Sequence, residues 1–322
     1  MEKKIRFAVL GAGKIAYRFA KSLSASGDCV LTAASGRNPE KISRFADEFH
    51  VGRRYVGHDA LLADRDIDAV YLALPHGMHR EWAVRAMNAG KAVLCEKPAA
   101  MNAQEMREIA EVSSERNILF MEAMKPRFVP AMEKILFHAE RIGEIREIST
   151  SLCNEMPFNG TGTSGTYHTD PAQGGVLLDC GCYCASWLEQ FCSGRPELKD
   201  VQSVFRNGVN YYTDALLQFG SVSARLECAF DRKKERNAVL RGSRGTIIVH
   251  ELHRPVKFEV QISGQKTEYY EIPYEVDDFY GEISAFADSL KNGRTSNEKM
   301  TPEASVRTAE ILDVIQSGMT GN

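Results

Sequence analysis

The 322-residue sequence has no apolar run approaching the roughly 20 residues that cross a bilayer. No apolar core of signal-peptide type follows Met1-Glu2-Lys3-Lys4-Ile5-Arg6, which leads straight into a strand-like run. Excess charge of one sign is also missing. Lysine plus arginine number 40 against 43 acidic residues, a net charge of −3, which gives no electrostatic footprint for nucleic acid or an anionic membrane. Repeats, low-complexity tracts and long linkers are absent. These absences predict a soluble, globular, cytoplasmic protein. The 43% apolar content supplies a core, and a prior of about 150 residues per domain suggests two domains.

The eight cysteines lack the paired spacing of a zinc site. Cys180, Cys182, Cys184 and Cys192 cluster, but alternate residues of a helix point about 200° apart, so only Cys180 and Cys184 share a face. Buried free thiols and no metal are the expectation, since free cysteine behaves as a small hydrophobe in a reducing compartment.

Two periodicities divide the chain. Up to residue 122, short apolar runs (5–10, 30–35, 68–74, 92–95 and 118–121) alternate with helical patterns (14–25, 39–49, 78–89 and 103–116), the pattern of βαβ units and a parallel sheet. Beyond it, Val222, Ala224, Leu226, Cys228 and Phe230 alternate with Ser223, Arg225, Glu227 and Ala229, a strand with one wet face. Phe258, Val260 and Ile262 alternate likewise with polar neighbours. Helical patterns at 173–192, 277–291 and 302–318 are expected to cover that sheet. The predicted architecture is α/β: a doubly wound, Rossmann-type parallel sheet over 1–122, then an α+β domain with a large, mostly antiparallel open sheet over 123–322.

Gly11-Ala12-Gly13-Lys14-Ile15-Ala16 follows the first strand and opens the first helix. In that context the glycines allow the tight turn and the approach of a pyrophosphate to the helix N-terminus, while Ala16 permits close helix–strand packing. A site for NAD would place an acid at the end of the second strand. Here stand Ser35-Gly36-Arg37-Asn38, whose hydroxyl and guanidinium suit a 2′-phosphate. NADP(H) is therefore expected over NAD(H), with Arg37 as an ordinary solvated arginine the plain alternative.

Three further segments close strands where ligands of open α/β sheets bind: Leu74-Pro75-His76-Gly77-Met78-His79, Cys95-Glu96-Lys97-Pro98 and Glu122-Ala123-Met124-Lys125-Pro126-Arg127-Phe128. A lysine on such a turn can aim its ammonium into a cleft, and burial beside a cationic nicotinamide lowers the pKa of such a group toward a useful value. His76 and His79 are spaced to bind a metal, yet no third ligand is apparent. Contact with cofactor or substrate and capping of the helix start remain open for both. Arg127 either pairs with Glu122 or meets substrate. Trp82 and Trp187 lie in apolar helical patterns and read as core.

Taken together, GAGKIA, LPHGMH, CEKP, EAMKPRF and GGVLLDCGCY resemble the Gfo/Idh/MocA family of dinucleotide-dependent oxidoreductases along essentially the whole chain, above all the branch of dimeric dihydrodiol dehydrogenases and NADP-dependent xylose dehydrogenases. The resemblance implies that Lys97 exchanges a proton with a substrate hydroxyl or carbonyl and that Glu96 lies against the cofactor. The family's Asp-x-Gly-x-His motif falls on Asp179-Cys180-Gly181-Cys182-Tyr183, so a tyrosine stands in place of the histidine. An unperturbed tyrosine titrates near 10, and the expected state is a neutral hydroxyl beside Lys97, with Asp179 orienting the substrate or Lys97.

The expected catalytic residues are thus Lys97, Tyr183 and Asp179. Gly11, Ala12, Gly13, Lys14, Ile15, Ser35, Arg37, Leu74, Pro75, His76, His79, Glu96 and Lys97 are expected at the cofactor. The expected reaction is hydride transfer between NADP(H) and a hydroxyl-bearing or carbonyl carbon of a sugar, polyol or cyclic diol, with specificity set by the segment Asn154 to Gln173. A non-catalytic dinucleotide sensor is the alternative, as is an enzyme that uses bound NAD as a transient relay. The resemblance further implies a homodimer through the second sheet.

Overall fold

The alternation in the first part of the chain becomes six strands: β1 (Ile5–Leu10), β2 (Cys29–Gly36), β3 (Arg53–Val56), β4 (Ala69–Leu72), β5 (Ala92–Glu96) and β6 (Phe120–Ala123). They lie in the order β3-β2-β1-β4-β5-β6, parallel throughout, in a computed structural model that describes residues 4–156 and 167–319. β1, β4 and β5 are almost wholly buried, as expected of strands covered on both faces. Helices Lys14–Leu23, Pro39–Glu48, His79–Asn88 and Ala103–Arg116 fall where the 3.6-residue period places them. Asn38 caps the second by accepting from the Lys41 N–H at 2.9 Å, with Pro39 in the first turn. The edge strand β3 escapes a reading by apolar runs because it is arginine-rich and half exposed. Its residues Arg53 and Arg54 pair with Asp64 and Asp47 at 2.7 and 2.6 Å.

The chain forms two compact units, and no single cut separates them. The first gathers the residues up to Ala100, Gln104–Met124 and also Glu275–Glu303; the second holds Met101–Ala103, Lys125–Tyr274 and the residues from Ala304 on. The helix expected over 277–291 on the second sheet instead belongs to the first unit. Helix Tyr280–Lys291 sets Phe286 against Phe7 of β1, with ring centroids 5.4 Å apart. Just ahead of it, Asp278 pairs with Arg18 at 2.5 Å, and Asp277 accepts from the Ser22 hydroxyl at 2.8 Å. An apolar helical face carries no address of its own; these contacts, 255 and more residues apart in sequence, supply one.

In the second unit, β7 (Ile145–Cys153), β8 (Glu197–Arg206), β9 (Val209–Phe219), β10 (Val222–Ala229), β11 (Asn237–Gly242), β12 (Gly245–His250), β13 (Lys257–Ile262) and β14 (Glu268–Glu271) form one sheet. Its order is β14-β13-β12-β11-β7-β10-β9-β8, antiparallel except between β7 and β10. Ile148, Leu152, Ala224, Leu226 and Cys228 are buried on strands that meet helix Cys182–Phe191. From that helix Trp187 donates its indole N–H to the Leu252 carbonyl at 3.0 Å, a core role as expected. The opposite face is wet at Arg225, which makes a two-pronged cross-strand pair with Asp214 at 2.8 and 2.6 Å. The alternation fails farther along, where Glu227 and Ala229 are buried. Tyr212 donates its hydroxyl to Glu227 at 2.9 Å, Lys234 pairs with the same carboxylate, and the Arg232 guanidinium lies 3.7 Å over the Tyr212 ring. Among the described residues no helix is long and apolar enough to cross a membrane.

Candidate active site

Residues from each unit were expected at the site. In the first unit, β1 ends between β2 and β4, the point where strand order reverses and a crevice opens. The Gly11 N–H donates to the Ser35 carbonyl at 2.9 Å and the Ala73 N–H to the Leu10 carbonyl at 2.9 Å, so the turn is stitched on both sides. Gly11 has φ +98°, and a β-carbon there would sit 2.4 Å from the Ala73 carbonyl oxygen; only glycine fits. A β-carbon on Gly13 would meet nothing within 4 Å. Gly13 opens helix Lys14–Leu23 with no side-chain cap, which leaves the first N–H groups to an anionic ligand. Ala12, Lys14 and Ile15 are half-buried or exposed around the turn. The cradle therefore fits a dinucleotide pyrophosphate.

At the end of β2 the expectation needs one amendment. Ser35 is fully buried and its hydroxyl shares a hydrogen bond of 2.7 Å with Nδ1 of His58. Burial lowers the pKa of His58 and the nearby Arg37 charge adds to the effect. The Ser35 hydroxyl is thus engaged by His58, and exposed Arg37 is the group at this strand end open to a phosphate.

The turn after β5 is held from four directions. Glu96 accepts from the Tyr71 hydroxyl, and its other oxygen accepts from the Lys97 N–H at 3.2 Å. Tyr71 is itself stacked on Phe19 at 3.7 Å. His79 Nδ1 lies 2.8 Å from the Pro98 carbonyl, and the Ala99 N–H donates to Glu122 at 2.9 Å. The Lys97–Pro98 peptide is cis. Lys97 is half-buried at the head of this turn.

His79 is completely buried, with Nε2 also 2.8 Å from the Leu74 carbonyl. It ties the loop after β4 to the loop after β5. Burial pulls its pKa down and the Lys97 charge reinforces this, against the two carbonyls. Packing rather than ligand contact is the role this geometry gives it. His76, in the 3₁₀ turn His76–Met78, is buried with its ring 5.9 Å from that of His79; Leu74 is buried and Pro75 half-buried.

In the second unit, the helix expected over 173–192 begins with a π-helical turn, Leu177–Gly181, and continues as Cys182–Phe191. The π turn holds Asp179 and breaks the α-helical register on which the cysteine spacing argument rested; such turns gather at functional positions. All eight cysteines are free; seven are buried and Cys192 is half-buried. Burial pushes the Cys192 thiol up to about 12 and also raises those of Cys184 and Cys228, which marks them as unreactive. Among the described residues, no three His, Cys, Asp or Glu side chains converge to hold a metal. Tyr183 is buried, its ring edge-on to His253 at 6.0 Å. Asp179 lies 3.7 Å from Nδ1 of His168, a residue that motif reading missed. His168 falls inside the expected specificity segment Asn154 to Gln173, of which residues 157–166 lie outside the described residues. Arg127 donates to the Ser186 hydroxyl and carbonyl at 2.8 Å each and pairs with buried Glu189, a structural use.

Residues 5–124 match the family model described as "Oxidoreductase family, NAD-binding Rossmann fold" of Gfo/Idh/MocA type, and residues 134–248 match its C-terminal domain. The chain is 29% identical to the scyllo-inositol 2-dehydrogenase (NADP(+)) of Bacillus subtilis, over 98% of this chain and 97% of that one. It is 29% identical to the mouse trans-1,2-dihydrobenzene-1,2-diol dehydrogenase over 82% of this chain and 80% of the other. Among solved structures, a 3-ketoreductase from Actinomadura kijaniata, KijD10, in complex with NADP and TDP-benzene superposes with a TM-score of 0.88 at 28% identity, covering 98% of both chains.

Proposed function

The chain belongs to the Gfo/Idh/MocA family of oxidoreductases, and on that premise we propose that it transfers a hydride between NADP(H) and a hydroxyl-bearing or carbonyl carbon of a sugar, polyol or cyclic diol. It is an oxidoreductase acting on CH–OH groups. The observation that carries the reading is the glycine cradle at the strand-order reversal, with braced Lys97 at the end of β5, one strand beyond β4. When bound, the nicotinamide supplies the carbon that gives or accepts the hydride. The backbone of Gly11, Ala12 and Gly13 and the opening of the helix at Lys14 and Ile15 hold the pyrophosphate, Arg37 the 2′-phosphate, and Leu74, Pro75 and Glu96 the nicotinamide half. Lys97 takes the proton from the substrate hydroxyl, or returns it to the carbonyl, while Tyr183 and Asp179 hold that oxygen. Orientation of this kind supplies a large share of the rate gain.

The test is a fluorescence titration of NADPH and NADH together with NADP⁺ reduction on aldoses, cyclitols and diols. NADPH is expected to bind at least about tenfold more tightly than NADH, the size of one charge-assisted contact. Arg37→Ala is expected to lose that preference while keeping NADH affinity. Equal binding of both cofactors to the wild type would overturn the assignment of Arg37.

The wet stretch of the second sheet around Arg225 supports a further part of the proposal, self-association through that face. It carries half-exposed Leu216 and Val204 beside Arg225 and Asp214. Light scattering on a sizing column is expected to give twice the 35.9 kDa chain mass; a monomer at micromolar concentration would remove it.

A further inference from the structure

One buried titratable group beside the cofactor's place stands outside the mechanism. His58 follows β3, and its buried side chain holds the fully buried Ser35 hydroxyl at the end of β2. The backbone sets the route. β2 and β3 run parallel with Gly36 beside Val56, and the Gly57 N–H donates to the Gly36 carbonyl at 2.8 Å. Gly57 has φ +83°, the left-handed region that glycine enters freely, and the chain bends there before His58 meets Ser35. Arg37 begins at that same Gly36 carbonyl, so the imidazole and the exposed guanidinium leave one junction. The charges acting on the ring are few. Asp59, next in the chain, favours its protonated form, and Arg37 opposes it. On helix His79–Asn88 the Trp82 ring meets the imidazole edge-on at 4.7 Å, while Arg85 is paired with Asp59 at 2.9 Å and Glu81 at 3.0 Å. On β3, Tyr55 and Arg54 are engaged by Asp64 and Asp47. Burial and Arg37 together hold the His58 pKa below its ordinary value, so the free protein keeps the ring neutral.

We propose that His58 determines cofactor choice alongside Arg37: when a 2′-phosphate settles on the guanidinium, His58 takes a proton from solvent, and its new charge adds to the hold on NADP(H). This rests on the assignment of Arg37 above and goes beyond it. The phosphate offsets the cation that opposes protonation and brings negative charge of its own into the same field. Ser35 is a partner that survives the change. A hydroxyl donates to an unprotonated Nδ1 and accepts from a protonated one, so the 2.7 Å contact persists in both states without moving the strand end. NAD(H) carries a hydroxyl where NADP(H) carries the phosphate and brings no such charge. The coupling therefore belongs to the phosphorylated cofactor alone. Its sign follows by linkage: the added affinity is present at low pH and fades as pH rises through the His58 pKa of the complex.

The first test uses the wild type alone. NADP⁺ and NAD⁺ are titrated by calorimetry near pH 7 in two buffers of different ionisation heat, which counts the protons exchanged on binding. NADP⁺ is expected to take up a fraction of a proton more than NAD⁺. The direction is diagnostic, because the phosphate itself, with a second pKa of about 6, only sheds protons on meeting a guanidinium. Release, or no difference between the cofactors, overturns the proposal. His58→Gln then pins the uptake to this ring, since an amide keeps a hydrogen bond to Ser35 and does not titrate. Its uptake difference is expected to vanish; a variant that retains it overturns the role of His58. The NADP⁺ over NAD⁺ preference of the wild type, divided by that of His58→Gln, is expected to grow about three- to tenfold from about pH 8 to about pH 5.5. Equal binding of both cofactors at every pH sinks the assignment of Arg37 and the coupling with it. A preference for NADP⁺ without proton uptake leaves Arg37 standing and removes His58 alone.

Discussion

Replacing Lys97 by Met is expected to lower kcat by about 10²- to 10⁴-fold, the contribution of one positioned proton-transfer group, while NADPH binds as before. The separation of the two effects follows from how the turn is built. Its backbone is fixed by Glu96, His79 and Glu122 and by the Tyr71–Glu96 contact, none of which involves the Lys97 ammonium. These four contacts stay in place when the half-buried side chain is changed to Met. Lys97→Arg sharpens the test, because a guanidinium keeps the charge but does not give up its proton in the working range. If Lys97 acts only as a fixed positive charge, the arginine variant keeps its rate; if it moves a proton, both variants fail together. Rapid-mixing measurement of kcat with cofactor titration on the same samples decides it, and wild-type turnover in Lys97→Met would strike Lys97 from the mechanism.

The sequence announced this turn well and its supports poorly. Gly11, Gly13, Lys97 and Pro98 are legible because each answers a backbone or chemical requirement local to one turn, and the parallel strands because buried runs leave no other reading. His79 read ambiguously, since nothing in Leu74-Pro75-His76-Gly77-Met78-His79 tells that its ring will meet the Pro98 carbonyl 19 residues on. Ser35 looked like a phosphate ligand until His58, 23 residues away, claimed its hydroxyl. His168 had no motif at all; it becomes noticeable only when the turn closed by Gly174 delivers it to Asp179. The helix Tyr280–Lys291 was found from its period yet assigned to the wrong sheet, because amphipathicity reports that a face is buried and not against what. Local chemistry is written in short segments, whereas the partner of a side chain is a property of the whole chain.

The same distinction settles what Arg127 does, and its test has the largest expected effect on stability. Arg127 is 5% exposed and Glu189 2% exposed, with their charges paired; Arg307, on helix Pro302–Gly318, pairs with the same carboxylate and is 58% exposed. Removing one partner of such a buried pair leaves an uncompensated charge out of water, which costs about 3–5 kcal/mol. Glu189→Leu is therefore expected to be severely destabilising, with a melting temperature lower by roughly 6–20 °C for a unit of this size. Arg307 returns to solvent at little cost, whereas buried Arg127 loses the carboxylate paired with it while its bonds to Ser186 stay in place. Adding Arg127→Met to Glu189→Leu removes the stranded charge and fills the site with apolar volume, so the double variant should regain most of the loss. It also separates structure from recognition. A guanidinium that touched substrate would be missed in the double variant as a raised KM, while one that only neutralises Glu189 leaves kcat and KM at wild-type values once stability is restored. Thermal melts with steady-state kinetics on the single and double variants give the answer: a harmless Glu189→Leu overturns the buried-charge argument, and a stable double variant with weakened substrate binding returns Arg127 to the substrate.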